Sequence, residues 1–316
     1  MSAGTVATTP HLALVGPTAA GKSALALTIA ETLGDVEIVS VDSMQVYRGL
    51  DIGTAKPTAD ERARVPHHLV DVADSTEDWS VARFQSEARA AVGDVAARGR
   101  RALLVGGTGL YVRAVVDDLR FPGEDRALRA RLEARAAAPG GLAALYAALQ
   151  ARDPVAAARM EPGNLRRIVR AHEVMAITGQ PFSASGAGLE QFGEPVFPVR
   201  MLGIWLDPVV LERRIRSRVD HMYEAGLLDE VRALTAPGAP GLSRTAAQAI
   251  GYREALAVLD GTEPDAAAAR AATALRTRQL SRRQVRWFRR DPRITWWGTA
   301  DNPDALAPAL LECCRG

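Results

Sequence analysis

The chain has 316 residues, a formal net charge of +2 and 47% hydrophobic residues. This size and balance fit a globular protein of one large or two modest domains, and no apolar run reaches the roughly 18 residues of a membrane span. The first residues lack a basic stretch followed by an apolar one, so no signal peptide is expected. The two cysteines, Cys313 and Cys314, are adjacent and fit neither a disulfide framework nor Cys-x-x-Cys zinc spacing. We therefore expect a cytoplasmic protein.

The basic residues are unevenly distributed along the chain. Lys22 and Lys56 are its only lysines, and arginine supplies the rest of the 39 basic residues, which indicates a compositional bias. Residues 276–293 nevertheless hold eight arginines against one acid, Asp291. A solvated helix face accounts for part of this excess, but the local charge predicts a surface for a polyanion.

Strands alternate with helices in the first part of the chain. Short apolar runs predict strands at 11–15, 37–41, 68–72 and 102–107. Periodic segments predict helices over 22–33, ending before Gly34, after an N-cap at Ser80, and from about Leu110. This alternation predicts an α/β fold with a parallel sheet flanked by helices.

The pattern changes after residue 122. Residues 123–196 show helical periodicity without a convincing strand and predict an all-helical insertion domain. A strand at 199–206 resumes the sheet, followed by helices over 208–224, 228–235, 245–259 and 265–290 and an edge strand at 293–297. The predicted catalytic core therefore comprises residues 1–122 and 197–316, with the basic helix near its end.

A phosphate-binding loop connects the first strand and helix. Gly16, four residues, Gly21, Lys22 and Ser23 form a complete Walker A motif in the strand–loop–helix context that the motif requires. Glycines let backbone N–H groups face an anion at a helix N-terminus. Lys22 would contact phosphate oxygens and Ser23 would bind Mg²⁺. The motif indicates a P-loop NTPase-like fold, but by itself only a phosphate and Mg²⁺ as ligands.

Two further polar residues follow predicted strands. Asp42 comes directly after the second strand and Thr108 after the fourth, and the carboxyl ends of parallel strands face the ligand crevice. Asp42 could assist Mg²⁺ binding, act as a general base or cap the next turn. Thr108 could contact a ligand or serve as a helix N-cap. The long polar segment after Asp42 favours binding over an idle connection.

Adjacent histidines do not predict a metal site. His67 and His68 lie on a predicted strand, where neighbouring side chains point to opposite faces, and no cysteine is near in sequence.

Several segments together resemble one enzyme family. From about Leu12 to Phe288 the chain carries, in order, GPTAAGKSALA, VDSMQVYRGLDIGTAKP, PHHLVDV, VGGTGLYVRA, LRRIVRAHEV, AIGYRE and TRQLSRRQVRWF. This arrangement resembles the tRNA dimethylallyltransferases, and DSMQVYRGLDIGTAKP is far more specific than Walker A. Ser23 stands where many relatives have threonine, and both residues carry the hydroxyl. No zinc-finger extension follows the core, so the chain resembles the bacterial type.

The resemblance implies an unusual use of the phosphate loop. In this family the loop holds the pyrophosphate group of dimethylallyl diphosphate, and N6 of adenine 37 in tRNAs with A36-A37 attacks C1 of the prenyl chain. Asp42 matches the family's base, Thr108 helps to position the acceptor, and Lys22 stabilises the leaving pyrophosphate. The implied diphosphate-binding residues are Gly16, Pro17, Thr18, Ala19, Ala20, Gly21, Lys22, Ser23 and Arg218, with Mg²⁺ as cofactor on Ser23. The helix that carries Arg218 could close over the diphosphate or could equally be a solvated arginine face.

The resemblance also implies contacts with a tRNA anticodon stem-loop. The target adenine must be extruded from its stack, and RNA readers favour splayed bases in loops. The helical insertion is expected to clamp the stem-loop. One of Trp287 and Phe288 is expected in the core. The expected tRNA-binding residues are Asp42, Ser43, Met44, Gln45, Thr108, Arg166, Arg167, Arg170, Gln248, Gly251, Tyr252, Arg253, Arg278, Arg282, Arg283 and Arg286.

Three alternatives share parts of this pattern. A small-molecule or nucleotide kinase would use the same loop but leave the basic helix without a role. A prenyltransferase for free adenine nucleotides would need neither the insertion nor that helix, and a non-catalytic RNA-binding protein would not need Asp42. No membrane partner is expected, and we expect a monomer.

Overall fold

The computed structural model describes residues 9–185, 191–299 and 302–315. The strands are β1 (His11–Val15), β2 (Val36–Ser40), β3 (His67–His68), β4 (Arg101–Gly106), β5 (Val199–Leu206) and β6 (Ile294–Thr299). The helices are α1 (Lys22–Leu33), α2 (Ala59–Arg64), α3 (Val81–Ala97), α4 (Gly109–Val116), α5 (Arg126–Ala137), α6 (Gly141–Arg152), α7 (Pro154–Ala158), α8 (Leu165–Thr178), α9 (Phe182–Ser185), α10 (Pro208–Glu224), α11 (Leu227–Thr235), α12 (Tyr252–Leu259), α13 (Ala266–Phe288) and α14 (Ala307–Arg315). Short 3₁₀ turns lie at Ala246–Gln248 and Pro303–Leu306.

The six strands form one parallel sheet in the order β3-β2-β4-β1-β5-β6. Strand β1 is therefore paired on both sides, with β4 and β5, and every residue of β4 is buried. Two hydrophobic clusters involve alternating sheet residues; Ala13 and Val15 belong to one, and Leu12 and Leu14 to the other. This alternation places the core on both faces of the sheet and confirms the predicted α/β fold class.

Contacts divide the chain into two compact units. One comprises Asp118–Glu194, and the other comprises the sheet, its flanking helices and the C-terminal helices. The boundaries lie close to the predicted ones at 122/123 and 196/197. Within the first of these units, α5, α6 and α8 pack around Leu145, Leu149 and Ile168.

Three predicted elements differ from the structure. The strand expected at 68–72 is reduced to His67–His68, because Leu69 and Asp71 have left-handed backbone conformations. The helix expected over 245–259 is split at Gly251, whose φ is +96°. Part of the loop expected at 183–195 lies outside the described residues, and its first residues belong to α9. Helices α2, α7 and α14 had no predicted counterpart.

No helix in the described part of the chain is long and apolar enough to cross a membrane.

One glycine is fixed by the close approach of two strands. A Cβ on Gly106, the last residue of β4, would lie 2.1 Å from the carbonyl oxygen of Val41. The neighbour is backbone that the hydrogen bond from the N–H of Val41 to the carbonyl oxygen of Val105, at 2.8 Å, holds in place, so it cannot move aside cheaply.

We expect Gly106→Ala to lower the free energy of unfolding by about 2 kcal/mol or more, because the added methyl group overpacks the sheet. The matched control is Gly93→Ala on the exposed face of α3, where a Cβ meets nothing within 4 Å. This change should raise stability by about 0.5–1 kcal/mol. Urea denaturation checks both values, and equal behaviour of the two variants would contradict the packing argument.

Candidate active site

Three strand ends bring the expected catalytic residues to one edge of the sheet. The neighbouring strands β2, β4 and β1 end at Ser40, Gly106 and Val15, and the register pairs Val15 with Gly106. The phosphate loop, Asp42 and Thr108 follow these ends directly. The site is therefore assembled by the parallel sheet from three segments that are distant in sequence.

The phosphate loop has the conformation that its glycines predict. Gly16 and Gly21 have φ values of +144° and +87°, and a Cβ on Gly16 would lie 2.7 Å from the carbonyl oxygen of Ile204 on β5. Gly21 is the N-cap of α1 and provides no side-chain cap, so the first amides of the helix are free to face an anion.

Part of the expected diphosphate set supports the loop from behind. Gly16, Pro17 and Ala20 are buried and do not line the cavity in front of the loop. The carbonyl oxygen of Pro17 instead accepts a hydrogen bond from Nζ of Lys22 at 2.7 Å. Within the loop, these three residues shape the backbone, and whether they contact the diphosphate stays a prediction.

Two cations and one carboxylate share the space in front of the loop. Burial and the nearby Arg218 guanidinium lower the pKa of Lys22 to about 7, and Asp42 opposes this shift. Burial also lowers the pKa of Arg218, again opposed by Asp42. Both cations are therefore poorly solvated, and an anion at the loop would stabilise their charged forms.

A further arginine of α10, which the sequence analysis did not single out, contacts the loop. Nε of Arg214 donates to the carbonyl oxygen of Ala19 at 2.9 Å, and Arg213 lines the same cavity. Arg214 and Arg218 are four residues apart and lie on one face of α10. This spacing was visible in the sequence, but arginine is so common in the chain that spacing alone was a weak signal.

Two cavities meet at the site. The first, the loop cavity, has a volume of about 730 Å³ and is lined by Lys22, Ser23 and Arg214 among others. The second, the Thr108 cavity, has a volume of about 470 Å³ and is lined by Thr108, Met44 and Trp287 among others. Both are lined by Thr18, Asp42, Thr54, Gly107, Arg218 and Gln284. The two cavities therefore adjoin, and Asp42 lies at their junction.

Asp42 and Thr108 both have side-chain oxygen atoms that local backbone groups do not occupy. Oδ1 of Asp42 accepts the N–H of Met44 at 2.8 Å, which fixes the carboxylate in a tight turn and leaves its other oxygen for the cavities. Thr108 is the N-cap of α4, yet its side chain makes no capping hydrogen bond. Its hydroxyl is thus not consumed by the helix that it starts, which favours the ligand interpretation over the capping one.

Gln284 is a site residue that the sequence analysis missed. Its Oε1 accepts the backbone N–H of Thr18 at 2.8 Å, and it lines both cavities. It lies on α13 between Arg283 and Arg286, so the basic helix reaches the phosphate loop. The contact joins residues 266 positions apart, and no local pattern could have shown it.

The segment after Asp42 is braced rather than freely available. Oδ1 of Asp51 and of Asp71 bind Nζ of Lys56, whose side chain is 3% exposed. Oε1 of Gln45 accepts from the Ser40 hydroxyl at 2.7 Å, and its amide nitrogen donates to two backbone carbonyls. Gln45 lines the loop cavity. Its side-chain amide already forms hydrogen bonds within the protein, and these bonds hold the segment in place. The structure therefore indicates a supporting role for Gln45 rather than the expected RNA contact.

The AIGYRE segment holds the same loop from the other side. Tyr252 is fully buried, and its hydroxyl donates to Glu230, whose carboxylate also accepts the N–H of Ile52 at 2.9 Å. A Cβ on Gly53 would lie 2.4 Å from the Tyr252 ring. The expectation that Tyr252 contacts RNA is therefore corrected: its side chain is part of the core. Gly251 is buried as well.

Other members of the expected tRNA-binding set lie in two places. Ser43, Met44, Thr108, Gln248 and Arg283 line the Thr108 cavity. The other place is the exposed surface of α13, where the side chains of Arg282, Arg283 and Arg286 have no hydrogen bond or ion pair to another described residue.

Some expected RNA contacts are already paired with protein groups. Arg278 forms an ion pair with Glu212 at 3.1 Å. Phe288 is 2% exposed and belongs to the core, whereas Trp287 is half-buried and packs against Gly109 at the wall of the Thr108 cavity. The structure thus assigns Phe288, of the two aromatic residues, to the core.

The three arginines of α8 behave differently from one another. Arg166 and Arg167 are exposed. Arg170 donates to the buried Glu173 at 2.7 Å and to the carbonyl oxygen of Pro122 at 2.8 Å. Arg129 binds the same carboxylate. Arg170 therefore contributes to the packing of its own unit.

The residues in front of the loop fit a magnesium ion. Mg²⁺ prefers oxygen ligands and keeps several waters. The exposed hydroxyl of Ser23 at the start of α1 and the carboxylate of Asp42 line one cavity with the loop. Diphosphate oxygens would complete such a set.

The protein combines a parallel α/β core with a P-loop, and a carboxylate lies at the end of the neighbouring strand. These features define a protein of the P-loop class with a site for a phosphorylated substrate.

Comparisons with known proteins identify the family. The model of the IPP transferase family matches residues 45–291, and that of the isopentenyl transferases matches residues 10–69. A tRNA dimethylallyltransferase of Salinispora arenicola is 52% identical over 95% of this chain and 84% of its own length. One of Kineococcus radiotolerans is 51% identical over 96% of each chain. The chain belongs to the tRNA dimethylallyltransferase family.

Solved structures agree with this assignment. The tRNA isopentenylpyrophosphate transferase of Bacillus halodurans superposes with a TM-score of 0.69 and 38% identity, covering 98% of this chain and 96% of that one. A eukaryotic dimethylallyltransferase acting on tRNA gives a TM-score of 0.76 and 26% identity, with coverage of 96% and 77%.

We expect Thr108→Ala to change the free energy of unfolding by less than about 0.5 kcal/mol, because no capping hydrogen bond is lost. The matched control is Ser80→Ala, since Oγ of Ser80 accepts the N–H of Arg83 and caps α3. This control should lose about 1 kcal/mol. Urea denaturation of both variants measures the difference, and a loss at Thr108 as large as at Ser80 would return Thr108 to an ordinary capping role.

Proposed function

We propose that this protein transfers a dimethylallyl group from dimethylallyl diphosphate to N6 of adenine 37 in tRNAs with A36-A37. The N6–C1 bond forms, the bond between C1 and the diphosphate oxygen breaks, and N6 loses a proton. The products are N6-(dimethylallyl)adenosine and pyrophosphate. The observation that carries this proposal is the position of Asp42, where the loop cavity meets the Thr108 cavity.

The diphosphate is assigned to the loop cavity. The open amides at the start of α1, with Lys22 and Arg218, supply positive charge where the leaving pyrophosphate gains negative charge. Arg214 holds the loop in shape through Ala19. Mg²⁺ held by Ser23 would neutralise part of the diphosphate charge when bound.

The adenine is assigned to the Thr108 cavity. Its walls offer the free hydroxyl of Thr108 and the half-buried ring of Trp287, a polar contact and an aromatic face for a flipped base. Asp42 has a free oxygen at the junction and accepts the proton that N6 releases. The adenine is assigned to the Thr108 cavity and the dimethylallyl diphosphate to the loop cavity. The two substrates therefore meet beside the carboxylate of Asp42.

The tRNA backbone is assigned to α13. Arg282, Arg283 and Arg286 are exposed and unpaired within the described residues, as groups that bind phosphates must be. Arg166 and Arg167 of the helical unit are exposed too and are assigned to the anticodon stem-loop.

A transfer assay tests the proposal. Radiolabelled dimethylallyl diphosphate, Mg²⁺ and the protein are incubated with unmodified tRNA carrying A36-A37, with the same tRNA carrying guanine 37, and with AMP. We expect label only in the first RNA. Preferential labelling of AMP would favour a prenyltransferase for free nucleotides, and ATP consumption without labelling would favour a kinase.

We expect Asp42→Asn to reduce turnover roughly 100-fold or more, because the amide cannot take the proton from N6. The amide oxygen can still accept the N–H of Met44, so tRNA affinity and thermal stability should remain near wild type. Single-turnover transfer and filter binding measure the two quantities. Turnover close to wild type would remove Asp42 from the role of base.

We expect the double variant Arg282→Ala/Arg286→Ala to weaken tRNA binding and to reduce the slope of log K against log salt by about 1–2, because two phosphate contacts are lost. Arg278→Ala is the matched comparison on the same helix, since its ion pair with Glu212 should leave the slope nearly unchanged. Binding measured at four salt concentrations gives the slopes. A double-variant slope equal to wild type would show that these arginines do not touch phosphates.

A further inference from the structure

The side chain of Gln284 occupies part of the anion-binding loop. Its Oε1 accepts the N–H of Thr18 at 2.8 Å, so this amide cannot donate to a phosphate oxygen at the same time. Its Nε2 lies against Gly107, where a Cβ would approach it to 2.4 Å. The glutamine amide is thus held between the loop and the end of β4.

The occupied amide lies at the far end of the loop from α1. The open amides at the helix start and Lys22 mark one end of the anion site, and Thr18 precedes them by three to five residues. The open amides at the start of α1 and Lys22 can bind a chain of two phosphates. A third phosphate needs additional donors, and two of the next three backbone N–H groups are already bonded: that of Ala20 donates to the carbonyl oxygen of Pro17 at 3.3 Å, and that of Thr18 donates to Gln284.

We infer that Gln284 is a specificity-determining residue that restricts the phosphate loop to diphosphates and excludes nucleoside triphosphates. Its oxygen occupies the Thr18 donor, and its side chain lines both the loop cavity and the Thr108 cavity beside that donor. This inference rests on the proposed function, because it takes a diphosphate as the ligand of the loop.

The test compares pyrophosphate with ATP, both with Mg²⁺, by isothermal titration calorimetry. Gln284→Ala removes the amide, and Gln284→Asn keeps an amide that is one methylene too short to reach Thr18. Leu275→Ala, on an exposed position of the same helix outside both cavities, is the control. ATP titrations are repeated with saturating pyrophosphate, so that only binding at the loop is counted.

We expect wild type and Leu275→Ala to bind pyrophosphate at least roughly 100-fold more tightly than ATP. Both Gln284 variants should reduce this ratio roughly tenfold or more, through stronger ATP binding, because the Thr18 donor becomes available. Retained pyrophosphate affinity shows that the variants are folded.

An unchanged ratio in both Gln284 variants overturns the inference, as does wild-type protein that binds ATP as tightly as pyrophosphate. Neither result affects the proposed function, which the transfer assay decides separately. Failure of wild type to bind pyrophosphate at all would count against the proposed function itself.

Discussion

The adjacency of three parallel strands is the constraint on which the site depends. Strands β2, β4 and β1 are neighbours, and their carboxyl ends lie at one edge of the sheet. Asp42, Thr108 and the phosphate loop therefore converge because backbone hydrogen bonds hold their segments side by side, as where the N–H of Val41 donates to the carbonyl oxygen of Val105 at 2.8 Å. Gly106 shows how tight this arrangement is, because the backbone of Val41 leaves no room for a methyl group there. Hydrogen-bonded backbone thus holds the segments that carry Asp42 and Thr108 in place.

The sequence predicted what local patterns determine. The bounds of α1 and β5 agree with the prediction, because glycines flank α1 and an apolar run between Pro198 and Asp207 defines β5. The strand expected at 68–72 failed because Leu69 and Asp71 adopt left-handed conformations within a braced loop, which overrides strand propensity. Gln284 was missed because its contact spans 266 positions and depends on where the sheet places Thr18.

The motif resemblance indicated which residues lie near the site, but it did not distinguish residues that bind RNA from residues that support a loop. Tyr252 and Gln45 were expected at the RNA, yet both hold the 51–57 segment through Glu230 and through backbone carbonyls. A residue that binds a substrate and a residue that supports a loop can occupy the same motif at the same spacing. Burial and hydrogen-bond partners distinguish a side chain that contacts a substrate from a side chain that supports a substrate-binding loop.

The shortness of β3 has a consequence for association between copies of the protein. An edge strand exposes unpaired backbone groups on which a second sheet can extend, and long flat edges favour such growth. Here the β3 edge is only two residues long, and the chain turns away immediately through left-handed residues. That edge offers almost no template for strand addition, so one side of a hydrophobic parallel sheet is protected against edge-to-edge aggregation.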